Sequence, residues 1–334
     1  MASRRPPFLA SCCAAICALL AATAARADLT PAAAPGDTLD RATVSAAIAG
    51  IAAELREGYV FPEKGAQAAT ALEAALADDV FAGMADPASF AAGLTARLQD
   101  ITQDSHLRVI FGSPFGPRPA SPGPDEAGFE VKRLDGNIGY LHLARFVPPG
   151  IFNPAADAAM RSLSDTAALL IDMRENGGGH PASVAYLVSF FLEAGEPVHI
   201  NDLIWRNRGT LTFRTESFFS SPTPVHYLGK PVYVLVGPKT YSAGEEFAYD
   251  LQALRRAVVV GTATRGGANP GGLTELGSDL FVVVPTGRAE NPVTGSNWEG
   301  DGVRPDVEAT LEETYETAVT LAMSGPGAAQ TRQP

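Results

Sequence analysis

The chain has 334 residues, and its formal net charge of −12 at pH 7 comes with no basic cluster. A protein this acidic is a poor candidate for binding nucleic acid or anionic lipid. All three cysteines, Cys12, Cys13 and Cys17, lie within one apolar stretch near the start. Once that stretch is removed no thiol remains, which excludes disulfides, a cysteine nucleophile and zinc bound by cysteine.

This apolar stretch predicts export. Arg4 and Arg5 make a positive start, residues 8–25 are almost unbroken apolar sequence, and Ala25-Arg26-Ala27 offers the small residues that signal peptidase reads. We expect a signal peptide over residues 1–27, cleaved after Ala27, and a periplasmic or extracellular mature protein with no stable membrane insertion. The alternative is a membrane anchor, which the short apolar run and the lack of a following basic cluster disfavour.

The next region is expected to be a small helical domain. Residues 28–38 are rich in proline and alanine and predict a flexible leader. Residues 39–111 predict three helices, because apolar residues recur three or four positions apart. Thr38 or Asp40 can cap the first helix. The second is expected over Ala68–Leu76 and the third over Pro87–Leu98.

A proline- and glycine-rich segment, residues 112–128, predicts a linker. From Phe129 onward, apolar strands alternate with helices, which is typical of an α/β core covered on both faces. We expect this core over residues 129–322 and a disordered tail over residues 323–334. The predicted strands are residues 138–143, 168–173, 232–236, 258–261 and 281–284, and the predicted helices are residues 181–192 and 243–256.

Ser242 lies between a predicted buried strand and a predicted helix, in the sequence Lys239-Thr-Tyr-Ser-Ala-Gly-Glu-Glu246. A serine there would stand at the exposed end of a rigid strand, and the free N–H groups at the start of the helix would stabilise an oxyanion. The structural alternative is a capping box, in which Ser242 caps the helix and Glu245 is its reciprocal partner. Taken alone, the pattern fits the cap better.

A second loop of this kind follows the predicted strand at residues 168–173. The sequence Asp172-Met-Arg-Glu-Asn-Gly-Gly-Gly179 ends in three glycines, which let a backbone approach a ligand closely and turn its N–H groups toward it. A phosphate-binding loop would normally continue with lysine and then serine or threonine, whereas His180 and Pro181 follow here. Two such loops at strand ends in one sheet favour a functional site over a coincidence.

These loops resemble the signatures of the tail-specific, or carboxy-terminal-processing, serine proteases of family S41. The segments that resemble the family's motifs, in the family's order, are Asp172–Gly179, Thr240–Glu245, residues 261–268 and residues 302–306. Gly58–Pro62 and Asp104–Leu107 resemble the branch related to interphotoreceptor retinoid-binding protein. The resemblance implies an α/β fold, with a crotonase- or ClpP-like core preceded by a small all-helical domain.

The chain departs from the carboxy-terminal-processing proteases in two ways. Its segment between helical region and core is too short for the PDZ domain that those proteases usually carry there. Their nucleophilic serine is paired with a lysine further along the chain, whereas this sequence has no lysine after Lys239. Arg265 is nearby in sequence but stays protonated and cannot act as a base. The resemblance therefore does not extend to a Ser–Lys dyad.

A serine hydroxyl is a weak nucleophile until a neighbouring base takes its proton. The tricorn-type relatives use a serine–histidine pair from outside the nucleophile segment together with a later glutamate. Ser105-His106 and Glu299 match that pattern. The resemblance therefore implies Ser242 as nucleophile, His106 as general base and Glu299 as an orienting residue, with Ser105 as its candidate link.

Backbone N–H groups of Gly178 and Ala243 are expected to form the oxyanion hole. Other interpretations stay open at this point. His106 could be a helix-end residue satisfied by a carbonyl group, and Glu299 could be an ordinary loop carboxylate. His180 is the rival base because it follows the glycine loop, although Pro181 suggests that it begins a helix.

The sequence thus predicts an exported serine peptidase that acts on peptides or polypeptides without cofactor or metal, and it indicates no oligomeric state. The second hypothesis is a carrier of lipid- or retinoid-like ligands on the same fold, since a fold does not determine function. Retention of Ser242, His106 and Glu299 together favours the enzyme, because a carrier does not need them. A crotonase-like acyl-CoA enzyme is disfavoured by the predicted export.

Overall fold

The structure, a computed structural model, describes residues 38–84, 86–113 and 128–324. The predicted signal peptide, nearly all of the leader, most of the linker and most of the tail lie outside these ranges. Within them, no helix combines the length and the apolar character needed to cross a bilayer.

The described residues contain seven α-helices, twelve strands and a short 3-10 helix at Asp135–Asn137. The helices are α1 (Arg41–Gly58), α2 (Pro62–Ala77), α3 (Pro87–Thr102), α4 (Pro149–Leu163), α5 (Pro181–Ser189), α6 (Ala243–Ala253) and α7 (Thr314–Met323). The strands are β1 (Arg108–Phe111), β2 (Phe129–Leu134), β3 (Ile138–Leu143), β4 (Ala168–Asp172), β5 (His199–Arg206), β6 (Phe213–Phe219), β7 (Val232–Val236), β8 (Val258–Gly261), β9 (Gly271–Gly277), β10 (Leu280–Pro285), β11 (Gly287–Glu290) and β12 (Val307–Glu308).

The three amino-terminal helices form in the predicted region, although α2 begins at Pro62 rather than Ala68 and α3 ends at Thr102 rather than Leu98. The Asp40 carboxylate caps α1 by accepting a hydrogen bond from the Thr43 N–H at 2.7 Å. Val44, Ile48 and Leu55 of α1 are buried, because their spacing places them on one face of the helix. Helix α1 packs on α2, and α2 packs on α3.

This amino-terminal region is not all helical. After α3 the chain forms β1, which pairs antiparallel with β10, so that Val109 lies opposite Val282. Strand β10 also pairs with β9. Leu280, Val282 and Val284 complete the core of the three helices. The helical pattern therefore ends before β1, and the predicted strand within β10 belongs to this region rather than to the central sheet. An apolar run can indicate a strand, but it cannot indicate which sheet the strand joins.

The carboxy-terminal core is a six-stranded sheet in the order β12-β8-β7-β4-β3-β2. It is parallel from β12 to β3, and β2 is antiparallel at the edge. Successive residues of a strand point to opposite faces. In β4, Leu169 and Ile171 join the apolar cluster of α4, α5 and α6, whereas Ala168 and Leu170 join the cluster of α7. Both faces are buried, which confirms the predicted α/β core.

The sequence pattern did not reveal helix α4 or the antiparallel sheet β11-β5-β6. Strand β6 mixes polar and aromatic residues on a mostly exposed surface, so it lacks the alternation of a half-buried strand. Helix α5 ends at Ser189 and α6 at Ala253, each a few residues before the predicted end. Helix ends are the part of a helix that sequence patterns locate least precisely.

The two loops singled out in the sequence meet because β4 and β7 are neighbours. These strands are parallel, and Asp172 at the end of β4 lies beside Leu235 near the end of β7. The carboxyl ends of parallel strands lie at the same edge of a sheet, where ligand sites of α/β folds commonly occur. The glycine loop after β4 and the turn that holds Ser242 therefore emerge side by side.

Candidate active site

Ser242 forms the turn between β7 and α6. Its backbone angles, φ 54° and ψ −121°, are those of the first central residue of a type II′ turn, where glycine is preferred. A non-glycine residue in such a conformation stores strain, which is common at functional sites. Ser242 is also the N-cap of α6, since its carbonyl oxygen accepts the N–H groups of Glu245 and Glu246, each at 2.9 Å. The cap and the strained serine are therefore the same residue.

Glu245 ties this turn to a second loop. Its side chain is fully buried. Its carboxylate accepts hydrogen bonds from the N–H of Ser242 (2.8 Å), the Thr264 hydroxyl (2.5 Å) and the N–H groups of Gly266 (2.6 Å) and Gly267 (2.9 Å). Burial raises the pKa of Glu245, and these donors oppose that shift. The sequence assigned Glu245 only the capping role.

Replacing Glu245 with alanine is expected to destabilise the protein strongly. The change would leave the buried donors on Thr264, Gly266 and Gly267 without an acceptor, and each such loss costs about 1–3 kcal/mol. We expect the free energy of unfolding, measured in urea, to fall by at least about 3 kcal/mol. The matched control is Glu312→Ala, an exposed glutamate, for which we expect a change within about 0.5 kcal/mol. Equal stabilities of the two variants would contradict the role of Glu245.

Asn176 holds the glycine loop against the turn that contains Ser242. Its side-chain amide donates to the Leu143 carbonyl oxygen at 2.9 Å, and its backbone carbonyl accepts the Tyr241 N–H at 2.9 Å. Gly178 then lies so close to the turn that an added Cβ would be 2.8 Å from the Cβ of Ser242. The close approach, together with the φ of 104° at Gly178, explains why glycine is needed there.

The two expected oxyanion donors lie together but differ in their hydrogen bonding. A Cβ added at Gly178 would be 3.2 Å from the Ala243 nitrogen, so the two backbones are adjacent. The Ala243 N–H has no hydrogen-bond partner among the described residues. The Gly178 N–H donates to Asn176 Oδ1 at 2.9 Å. Ala243 is therefore available to an incoming oxyanion, whereas Gly178 must exchange its present acceptor.

Asp172 and Arg174, at the start of the glycine loop, form a structural ion pair. Arg174 donates from Nε to Asp172 Oδ1 at 2.9 Å and from Nη2 to Oδ2 at 2.6 Å, and the Tyr140 hydroxyl adds a third bond at 2.9 Å. Burial alone would raise the pKa of Asp172, but the hydrogen bonds and charge of Arg174 hold it below its usual value. The ion pair of Asp172 and Arg174 therefore stabilises the end of β4.

His106, from the amino-terminal region, lies against the turn that contains Ser242. Its ring stacks on Tyr241, with centroids 4.5 Å apart and planes at 25°. The residue is only 8% exposed, and its backbone N–H donates to Asp104 Oδ1 at 3.0 Å. Burial, with the positive charges of Arg108 and Arg265, lowers the pKa of His106 to about 4. Among the described residues, no hydrogen bond joins its imidazole to the Ser242 hydroxyl.

Glu299 lies in the same cluster as His106. One ligand-type atom from each of Asp104, His106 and Glu299 lies within 4.8 Å of the others. Glu299 Oε2 accepts the Ala268 N–H at 2.5 Å, whereas Oε1 is buried and has no partner among the described residues. His106 Nδ1 is also buried and without a partner. Burial and the negative charge of Asp104 raise the pKa of Glu299 to about 8.

The hydroxyl of Ser105 does not link Glu299 to the histidine. It lies 3.0 Å from the Tyr241 hydroxyl and donates to the Gly266 carbonyl oxygen at 3.3 Å. The Ser105 backbone N–H, in contrast, acts on Glu299 and opposes the rise of its pKa. The Ser105 hydroxyl therefore contacts Tyr241 and Gly266 rather than Glu299.

His180, the rival base, is the N-cap of α5. Its Nδ1 accepts the Ala182 N–H at 3.2 Å, and the residue is exposed. Burial of part of the ring lowers its pKa. His180 therefore begins a helix, as the following proline indicated.

The roles of Asp104 and Tyr241 were not predicted from the sequence. Besides the His106 N–H, Asp104 accepts hydrogen bonds from the Tyr59 hydroxyl and the Asn269 amide, each at 3.0 Å. An aspartate two residues before a histidine can accept its N–H in an Asx turn, so one signal was present in the sequence. Tyr241 contacts residues more than a hundred positions away, and no local pattern could have predicted that.

The sequence profile of Peptidase family S41 matches residues 137–309 of the chain. The chain belongs to peptidase family S41. The S41 chain is 29% identical to the carboxy-terminal-processing protease of Bartonella bacilliformis over 189 residues, which are 55% of this chain and 42% of that protein. It is 29% identical to the chloroplastic carboxyl-terminal-processing peptidase 2 of Arabidopsis thaliana over 175 residues, 51% of this chain and 31% of that protein. The chain spans less than half the length of these relatives.

Solved structures show the same fold over most of the S41 chain. A candidate peptidase from Parabacteroides merdae superposes with a TM-score of 0.63 at 20% identity, covering 84% of this chain and 96% of its own. The photosystem II D1 C-terminal processing protease superposes with a TM-score of 0.52 at 16% identity, covering 86% and 98%. The predicted fold class, an α/β core preceded by a helical region, is confirmed.

Proposed function

We propose that this S41 protein is a serine peptidase with Ser242 as nucleophile, His106 as general base and Glu299 as orienting residue. The observation that carries the proposal is the packing of His106 against the nucleophile turn, through the ring of Tyr241. The strained turn supports the same role, because such turns present a nucleophile at the end of a strand.

In the proposed reaction, His106 Nε2 takes the proton of the Ser242 hydroxyl as its oxygen attacks the carbonyl carbon of the peptide bond. The carbonyl oxygen becomes an oxyanion, which accepts the Ala243 N–H and, after the Gly178 N–H exchanges its acceptor, that group too. The imidazolium then gives the proton to the leaving amine, and an acyl-enzyme remains on Ser242. Water, deprotonated by His106, attacks this ester, and the acid product leaves with the serine restored.

Glu299 is placed to orient the imidazole from its far side. In the active form, the His106 Nδ1–H donates to Glu299 Oε1, which would satisfy the two buried atoms that lack partners. That bond fixes the proton on Nδ1 and leaves Nε2 free to accept the serine proton. A Ser–Lys alternative lacks support, since Lys239 is exposed and pairs with Glu175 at 2.8 Å.

The proposed active site lies between two parts of the chain. His106 follows α3, whereas Ser242 begins α6 in the central core. Because the two side chains are not hydrogen-bonded here, substrate binding is expected to bring them together, as is common for catalytic groups in free enzymes. Because of the predicted signal peptide, we place this peptidase outside the cytoplasm, where it would act on peptides or polypeptides.

A covalent probe tests the proposed function directly. A fluorophosphonate is expected to label the protein once, and peptide mapping should locate the label on Ser242, because an activated serine attacks phosphorus as it attacks a carbonyl. Incubation with a peptide pool should yield cleavage products detected by mass spectrometry. A folded protein that takes no label and cleaves no peptide, yet binds retinol or fatty acid, would instead support the carrier hypothesis.

The rate is expected to rise with pH through about 8. Since the pKa of His106 is about 4, the imidazole is neutral across this range. Below its pKa of about 8, Glu299 is protonated. It would donate to Nδ1, which leaves the imidazole hydrogen on Nε2 and removes the acceptor for the serine proton. The kcat/KM should therefore rise about tenfold per pH unit below this value and level off above it.

Glu299→Gln is the matched variant for this pH profile. Its side-chain oxygen can still accept the Nδ1–H, but it cannot lose a proton in this range. We expect a lower kcat/KM that stays constant as the pH rises through about 8, the pKa of Glu299 in the wild type. If the rise with pH persists in Glu299→Gln, another group is responsible for it.

A further inference from the structure

The cluster of Asp104, His106 and Glu299 has the composition of a metal site. One nitrogen or oxygen from each residue lies within 4.8 Å of the other two. An imidazole and two carboxylates suit Zn²⁺, which takes three protein ligands and an exogenous fourth in open tetrahedral sites. Mg²⁺ and Ca²⁺ prefer oxygen ligands alone, so the imidazole selects against them.

Two of the three side chains have atoms available to a metal. His106 Nδ1 and Glu299 Oε1 are both buried without a hydrogen-bond partner among the described residues. Buried polar atoms almost always have a partner, so such atoms in one cluster call for an explanation. His106 is more than nine-tenths buried, so bulk water does not account for its Nδ1.

The third ligand, Asp104, is held in place by its surroundings. Its carboxylate accepts hydrogen bonds from the His106 backbone N–H, the Tyr59 hydroxyl and the Asn269 side-chain amide, each at 3.0 Å. Hydrogen bonds of this kind orient metal ligands and raise metal affinity. Arg108 and Arg265 are the nearby positive charges that act on His106.

We infer that this cluster binds Zn²⁺ and that zinc reversibly inhibits the protein. The inhibition rests on the proposed function, whereas the binding does not. A metal on Nδ1 takes the place of the proton there, so the neutral imidazole keeps its hydrogen on Nε2. That nitrogen then cannot accept the proton of Ser242. The metal also occupies Glu299, which can no longer orient the ring.

Zinc binding is measured by competition with a chromophoric chelator, on metal-free protein without the predicted signal peptide, which holds all three cysteines. We expect one Zn²⁺ per chain, with affinity lowered about tenfold or more in Asp104→Asn, His106→Ala and Glu299→Gln. Ser242→Ala should bind zinc as the wild type does, because the serine is not a ligand. The matched control is His199→Ala, which removes another histidine–carboxylate pair, His199 with Asp202 at 2.8 Å, and should leave the affinity unchanged.

The second measurement is hydrolysis by the wild type during zinc titration. Inhibition that follows the measured binding curve and is reversed by a chelator supports the inference. Absence of binding, or binding unaffected in all three ligand variants, overturns it and leaves the proposed function intact. Binding that the ligand variants weaken but that does not inhibit overturns the inference and also the proposed role of His106 as base. Hydrolysis that requires zinc and survives in Ser242→Ala would instead overturn the proposed serine mechanism. Thermal melting of each variant, with and without zinc, confirms that a lost affinity is not a lost fold.

Discussion

Ser242→Ala is expected to lower kcat for peptide hydrolysis by at least about a thousandfold, because the nucleophile of a catalytic unit cannot be replaced by its neighbours. The residual rate should depend little on pH, since no proton remains for His106 to take. Binding of peptide should be retained, and it can be measured by fluorescence anisotropy. Undiminished turnover by a folded Ser242→Ala variant would show that the nucleophile lies elsewhere.

The strained backbone at Ser242 provides an independent test of the same site. Ser242→Gly should be as inactive as the alanine variant but more stable than the wild type, because glycine adopts a φ of 54° without strain. We expect a gain of about 1–3 kcal/mol in the free energy of unfolding, the range for one strained residue. Ser242→Ala keeps the strain and should show no such gain. If the glycine variant is more stable than the wild type, the backbone conformation that presents the Ser242 hydroxyl lowers the stability of the wild type.

His106→Ala is expected to reduce kcat by a similar factor, because members of a catalytic unit act together. Alanine also removes the ring that stacks on Tyr241, so a lost activity could come from a displaced turn. His106→Phe keeps an aromatic ring for that stack and removes both nitrogens. If His106→Phe is inactive but melts at nearly the same temperature as the wild type, the loss of activity comes from the missing base.

His180→Ala is the matched control for the base. His180 caps α5 by accepting the Ala182 N–H, so its loss should cost about 0.5–2 kcal/mol of stability and little activity. If His180→Ala were inactive and His106→Ala retained turnover, the assignment of the base would be wrong. The rival histidine would then have to leave its capping position to reach Ser242.

Much of the fold could be predicted because local patterns carry it. The buried strands β3, β4 and β7 are continuous apolar runs, and α1 has a capping aspartate and one apolar face. The hairpin β5–β6 escaped prediction, since its residues alternate poorly and its stability comes from pairing with β11 and within the hairpin. Strand β10 was predicted as a strand, but its sheet was not.

Some parts of the candidate site could also be predicted from local sequence, and others could not. The turn at Ser242 and the glycine loop were predictable, because each is a short segment whose residues follow a buried strand, and parallel neighbouring strands bring such segments together. The sequence alone also showed that no lysine follows Lys239, so no lysine from the later part of the chain can serve as base. His106 and Glu299 could be named from their resemblance to relatives, but nothing local placed them near Ser242.

Only the tertiary structure decided how these residues contact one another. The stack of His106 on Tyr241 and the hydrogen bonds of the Glu245 carboxylate with Thr264, Gly266 and Gly267 join segments distant in the chain. The perturbed pKa values of His106 and Glu299 arise from burial, which depends on what packs around a residue rather than on its neighbours in sequence. The sequence alone therefore determined the residue types available for catalysis, and packing determined their protonation and their partners.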